Sequence, residues 1–179
     1  STGTITGFSD NSNGTYTAIF TGGVAGTGTT ITATINTVAV TTTLPTVTVT
    51  PGAISVAQSV LSVTQSSIAS GTTSTLRLTA KDAAGNLLTS GGSTVVFSRT
   101  GGGSTGSIGA TADRSNGIYE AVFTGELVGS AATIGATIGG TPVTTTEPTI
   151  TVTPGTVSAQ RSVVEVASPT VASGSTVQL

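Results

Sequence analysis

Short stretches of this chain alternate apolar and polar residues, and the clearest is Gly117–Thr124. In an extended strand Tyr119, Ala121 and Phe123 point to one side, and Ile118, Glu120 and Val122 to the other. The charge on Glu120 assigns the Tyr119 side to the interior. Thr75–Ala80 has the same period, with Leu76, Leu78 and Ala80 set against Thr75, Arg77 and Thr79. Ser59–Thr64 predicts a strand before it, and Thr94–Arg99, carrying Val95, Val96 and Phe97, predicts one after. Ile108 to Ala112 predicts a weaker strand. Ala132–Ile138 turns Ala132, Ile134, Ala136 and Ile138 inward, and Thr149–Thr153 does so with Ile150 and Val152. Turn residues punctuate these runs: Ser70-Gly71, Lys81–Asn86 with Gly85 free to take positive φ, Gly101-Gly102-Gly103 and Gly139-Gly140. Seven short strands in about 100 residues with frequent turns predict an all-β, antiparallel β-sandwich. Its expected core holds Leu76, Leu78, Phe97, Tyr119, Phe123, Ile134 and Val152.

The pattern recurs. Asn13-Gly14-Thr15-Tyr16-Thr17-Ala18-Ile19-Phe20-Thr21-Gly22 returns as Asn116-Gly117-Ile118-Tyr119-Glu120-Ala121-Val122-Phe123-Thr124-Gly125, and Pro45–Gly52 returns as Pro148–Gly155, both 103 residues on (116 − 13 and 148 − 45). Residues 1–76 align with 104–179 without a gap, and 39 of the 76 pairs are identical. A period of this length is a whole small domain rather than a solenoid unit. The expected organisation is the C-terminal part of one repeat over 1–52, a complete repeat over 53–155 bordered by Pro51-Gly52 and Pro154-Gly155, and the N-terminal part of a third over 156–179. Two incomplete repeats imply either an excerpt of a longer fibre or a tail, 162–179, that completes the 1–52 unit of a neighbouring copy by adding strands. Complete repeats are expected end to end, about 4 nm apart on strand-rise grounds.

Composition narrows the function classes. The net charge is −2, from five basic and seven acidic residues with no like-charged run, so there is no basic stripe for nucleic acid. With 36% apolar residues the chain is not composed like a disordered one; Thr and Ser supply the polar surface, and β-branched Thr suits a pleated, half-wet face. No apolar run approaches the roughly 18 residues of a membrane-spanning helix. The start, Ser-Thr-Gly-Thr, has no leader pattern, so a leader and an anchor would have to lie in parts of a larger protein outside these residues.

Four stretches occur in an order that resembles a known family: Leu76-Arg77-Leu78-Thr79-Ala80-Lys81-Asp82-Ala83-Ala84-Gly85-Asn86, Val95-Val96-Phe97-Ser98, Asn116–Thr124, and Ala132-Thr133-Ile134-Gly135-Ala136-Thr137-Ile138. This order resembles the bacterial immunoglobulin-like tandem repeats of the invasin and intimin adhesins, and the stretch from Asn116 is also similar to filamin-type repeats. The resemblance implies tandem immunoglobulin-like sandwiches of about seven strands each. It also implies a non-catalytic stalk or fibre repeat of an extracellular bacterial cell-surface adhesin, whose partners are neighbouring repeats or other copies in a fibre.

Candidate chemistry is sparse. Without His or Cys there is no Ser-His-Asp or Cys-His machine, no usual zinc site and no disulfide. Asp113 and Glu120 are read as solvated outer-face charges, since Glu120 has Thr17 as its counterpart. Asp82 with Asn86 offers oxygens for calcium, as does Asp10 with Asn11 and Asn13; turn formation is the simpler reading of both. Lys81, the one lysine, belongs to a wet turn rather than to a buried cross-link. The glycine runs lack the Lys-Ser/Thr follower and helix of a phosphate loop. Tyr16 and Tyr119 are expected to pack in cores with the hydroxyl reaching a backbone group, the alternative being a ligand-stacking face. No cofactor and no catalysis are expected. Beside the stalk stand two other readings: a self-assembling filament, surface-layer or phage-decoration subunit, and a carbohydrate- or receptor-binding module.

Overall fold

The computed structural model describes residues 1–179 as strands and connections without a helix. Ten strands belong to residues 60–153: β7 (Val60–Val63), β8 (Ser67–Ala69), β9 (Thr73–Thr79), β10 (Val95–Thr100), β11 (Gly106–Ile108), β12 (Ala112–Asp113), β13 (Ile118–Gly125), β14 (Ala132–Ile138), β15 (Thr141–Pro142) and β16 (Thr149–Thr153). One sheet runs β11-β13-β9-β7, with β12 also on β13; the other runs β10-β14-β16-β8, with β15 on β14. Pairings are antiparallel except one: β16 runs parallel to β8, matching Val152 to Ile68. The stretch expected as one weak strand, Ile108 to Ala112, is two, β11 and β12, both on β13. Ser67–Ala69 is a strand the alternation did not predict, because three residues are too few to display a period.

The inward faces of the two sheets meet in one core. β13 buries Tyr119, Ala121 and Phe123, while Val122 is 48% exposed. β9 puts Leu76 and Leu78 opposite Ala121 and Tyr119, and β14 contributes Ile134, Ala136 and Ile138. Each large apolar side chain so buried contributes about 1.5–3 kcal/mol. The register has a steric lock at Gly106. A Cβ there would come 2.5 Å from Cζ of Phe123, so the phenyl ring lies flat where a side chain would stand.

Residues 1–50 repeat part of this. β1 (Thr2–Asp10) and β2 (Tyr16–Val24) form a hairpin; β3 (Thr29–Thr30) pairs with β6 (Thr46–Val47), and β4 (Thr34–Ile35) with β5 (Val38–Ala39). Each has its counterpart 103 residues on. The Asp-x-Ser-Asn-Gly turn is the same in both copies: Ser12 and Ser115 take φ of 56° and 57°, Gly14 and Gly117 84° and 78°. The Asp10 and Asp113 carboxylates accept from Ser12 N–H at 2.8 Å and Ser115 N–H at 2.7 Å. The partners differ, however. Tyr119, on a strand flanked by β9 and facing the second sheet, is 1% exposed, while Tyr16, on a strand paired only with β1, is 57% exposed. Residues 156–179 contain turns but no strand.

Candidate functional site

The seven expected core residues, Leu76, Leu78, Phe97, Tyr119, Phe123, Ile134 and Val152, are all buried. They position the site rather than form it. The Tyr119 hydroxyl accepts a hydrogen bond from Ser93 N–H at 3.1 Å, which ties the long loop before β10 to β13.

Neither expected carboxylate of the outer face is free. Glu120 is 14% exposed and lies between two guanidinium groups, Arg77 at 2.7 Å and Arg114 at 2.9 Å. Hydrogen bonds from Arg77 and then Arg114 hold its carboxyl below the usual glutamate value. It is therefore a clamped charge rather than a solvated one, because β13 places it directly across from Arg77 on β9. Asp113 accepts from Gly92 N–H at 2.6 Å and from Ser115 N–H. Two carboxylates so committed do not form an acid/base pair.

The densest polar arrangement outside the core is the turn Asp82–Leu87. The Asp82 carboxylate accepts four hydrogen bonds: on Oδ1 from Ala84 N–H at 3.0 Å and Asn86 N–H at 2.8 Å, on Oδ2 from Gly52 N–H at 2.8 Å and Asn86 Nδ2 at 3.0 Å. These occupy the lone-pair sites of a carboxylate. The donors lower its pKa from 3.8 to about 2, Gly52 N–H most and the Asn86 amide next. N–H donors hold the Asp82 oxygens that a calcium ion would use, an arrangement that suits turn formation, the simpler of the two readings.

Asn86 also reaches the first unit. Its Nδ2 donates to Gly23 C=O at 3.0 Å, and its Oδ1 accepts from Ala25 N–H at 3.0 Å. Beside these bonds is an open cleft of about 470 Å³, lined by Val24, Val49, Pro51, Asn86 and Leu87 among others. Residues 1–52 thus meet residues 53–155 through three hydrogen bonds to Asp82 and Asn86 around Gly52. The sequence places Asp82 and Asn86 in a turn, with calcium as the other use of their oxygens. Nothing in their spacing says that Asn86 faces residues more than 60 positions away.

A second cleft, of about 340 Å³, lies on the first unit between Phe8, Tyr16, Ala33, Ile35 and Val40. Four of these five have core counterparts in the complete repeat: Tyr119, Ala136, Ile138 and Val143. Phe8, stacked on Tyr16 at 5.8 Å, stands where the other copy has Thr111. The cleft has the apolar walls of an unfilled sandwich core, with Thr34, Asn36 and the Tyr16 hydroxyl as its polar groups.

The family model for invasin, domain 3, matches residues 55–155. The chain belongs to that family. Among solved structures it is similar to FdeC, an Escherichia coli adhesin, at 27% identity over 88% of this chain and 50% of that one, TM-score 0.55. It is similar to Yersinia pseudotuberculosis InvD at 26% identity over 94% of this chain and 50% of that one, TM-score 0.56. It is similar also to invasin, a bacterial integrin-binding protein, at 25% identity over 86% of this chain and 30% of that one, TM-score 0.54. The chain therefore spans half or less of the length of these structures. Among curated proteins, none matches it. The module is an immunoglobulin-like domain of the adhesin type.

Proposed function

We propose that this chain is a load-bearing spacer of a bacterial cell-surface adhesin, made of tandem repeats and working without catalysis or a cofactor. One observation carries the reading. The chain enters the complete repeat beside Asp82, where Ser55 N–H donates to Lys81 C=O at 2.8 Å, and leaves it beside Ser70. These points lie at opposite ends of β9, which runs from near Ser70 toward Asp82. Tension through the two linkers pulls β16 toward one end and β8, through β7, toward the other. Because β8 and β16 are parallel, they must slide lengthwise, and their bonds load together instead of opening one by one. Those bonds are Thr151 N–H to Ser66 C=O at 2.8 Å, Ser70 N–H to Thr153 C=O at 2.9 Å, and Thr153 Oγ1 to Ile68 C=O at 3.2 Å. Similarity to adhesins supports the extracellular, surface location.

Single-molecule stretching of the chain tests this. One cooperative event should release the contour of the complete repeat, about 35 nm at roughly 3.4 Å per residue. Thr151→Pro, which deletes one clamp donor, should lower the force of that event. Gradual extension without a force peak, or a peak indifferent to Thr151→Pro, defeats the proposal.

A second reading, a subunit that polymerises by exchanging strands, draws on the exposed Tyr16, Ile19, Ile35 and Val38. Residues 163–179 repeat the sequence of β7, β8 and the start of β9 yet form no strand here. Sedimentation separates the two readings: the spacer is monomeric, and the exchanging subunit forms chains that vanish when 156–179 is removed.

A further inference from the structure

We propose that the far rim of the complete repeat, Glu126–Gly129 with Pro154-Gly155, is a preformed docking surface for the Asp82–Leu87 turn of a following copy of the same repeat. The proposal rests on the spacer reading and names the partner of its free end.

The rim is the 103-residue counterpart of the surface that Asp82 and Asn86 already grip. At the joint, the bonded groups are Gly23 C=O, Ala25 N–H and Gly52 N–H. Their counterparts are Glu126 C=O, Val128 N–H and Gly155 N–H. Val128 N–H and Gly155 N–H have no hydrogen-bond partner in the chain. Glu126 C=O accepts one bond, from Ser70 Oγ at 2.6 Å, and keeps a second lone pair.

The backbone frame behind the two rims is the same. Ser1 Oγ donates to Gly26 C=O at 2.9 Å and accepts from Val49 N–H at 2.9 Å. Ser104 Oγ donates to Gly129 C=O at 2.9 Å and accepts from Val152 N–H at 2.8 Å. Gly26 N–H reaches Val49 C=O at 3.1 Å, and Gly129 N–H reaches Val152 C=O at 3.3 Å. The apolar contacts also have counterparts: Val24 becomes Leu127, Ala25 becomes Val128, and Pro51 becomes Pro154. Ala25 and Pro51 are half-buried at the joint, while Val128 and Pro154 are exposed; Val24 and Leu127 are exposed alike, at 56% and 66%. Glu126 replaces Gly23, but the acceptor is the main-chain carbonyl, so the change leaves the contact available.

A turn with a few apolar neighbours is far below the area of a stable interface between separate proteins. The contact therefore depends on the linker, which holds the next repeat at high effective concentration. The occupant is the next repeat in the same chain.

The test inserts one further copy of 53–155 after Gly155 in the full chain, so that Gly155-Ala53 repeats the Gly52-Ala53 join. The protein has no cysteine, so label pairs can be introduced at exposed sites. One pair, Thr43→Cys with Val96→Cys of the first copy, spans the existing joint. The other, Thr146→Cys of the first copy with Val96→Cys of the inserted copy, spans the new one. Electron–electron distance distributions should have the same mean and width at the two joints. Asn86→Ala in the inserted copy should at least double the width at the new joint and leave the first unchanged, and Val128→Asp in the first copy should do the same from the rim side. A broad distribution at the new joint, or one that neither variant alters, overturns the docking proposal. The force-peak experiment reports separately on the spacer reading, since a clamp between β8 and β16 survives a loose joint.

Discussion

Phe123→Ala is the sharpest probe of the core. The ring is fully buried, and it lies over Gly106, which pairs with Gly125. A truncated side chain leaves a hole over Gly106, which has no side chain to move into it. The cost should therefore fall in the upper part of the range for Phe→Ala, about 4–5 kcal/mol. A domain of this size has about 5–15 kcal/mol in total, so the variant loses about a quarter of its stability or more. With a urea dependence of about 1.5 kcal/mol per molar, the midpoint should fall by about 3 M. Val122→Ala, one residue away on the exposed face, should change stability by no more than about 0.5 kcal/mol. Urea unfolding of the full chain followed by far-ultraviolet circular dichroism measures both. Equal midpoints for the two variants, or the larger loss from Val122→Ala, would mean that β13 presents its other face to the core, and every inward assignment on β9 and β14 would fall with it.

Tyr119→Phe leaves Ser93 N–H without its acceptor and should cost about 0.5–1.5 kcal/mol by the same assay, with faster amide exchange at Ser93. Arg77→Ala leaves Glu120 paired with Arg114 alone. Since both guanidinium groups are about half exposed, the loss should stay under about 1 kcal/mol and shrink further in 1 M salt. Acid should loosen the joint at Gly52. The Asp82 pKa is depressed from 3.8 to about 2, so its contribution is complete above pH 3.8 and is lost as pH falls toward 2. The Thr43–Val96 distance distribution should broaden in that window, and an Asp82→Asn variant should show no such change.

Much of the sandwich was legible because its central strands are long enough to show a period. Six residues at Thr75–Ala80 and eight at Gly117–Thr124 suffice to separate inside from outside. β8, with three residues, and the split of β11 from β12 are set by pairing with β16 and β13, which local alternation does not encode. The parallel sense of β8 and β16 follows from where the chain crosses between sheets, so no residue announces it. The site was less legible still. Asp82 and Asn86 read as an Asx-type turn, and they are one. Their second set of partners lies across the joint, where only the folded geometry brings them. Ser104 was also missed, although a signal existed: it is fully buried, and its counterpart Ser1 makes the same two backbone bonds. A small polar residue that is identical in two copies and fully buried in one points to the backbone group it serves.

The pattern of change between the copies bears on function. Residues bonded to the backbone at the rim, Ser1 and Ser104, are identical, as are the linkers Pro51-Gly52 and Pro154-Gly155. So is the ring-over-glycine lock, Phe20 on Gly3 and Phe123 on Gly106. The outward positions change, and they change in matched sets: Glu120 and Arg114, which pair across β13 in one copy, are Thr17 and Asn11 in the other. A module whose outer face recognised a ligand would be expected to repeat that face. Here the repeated parts are the interior, the linker and the serine behind the rim, while the rim side chains at 23–25 and 126–128 differ. That division suits a repeat whose task is to be joined end to end.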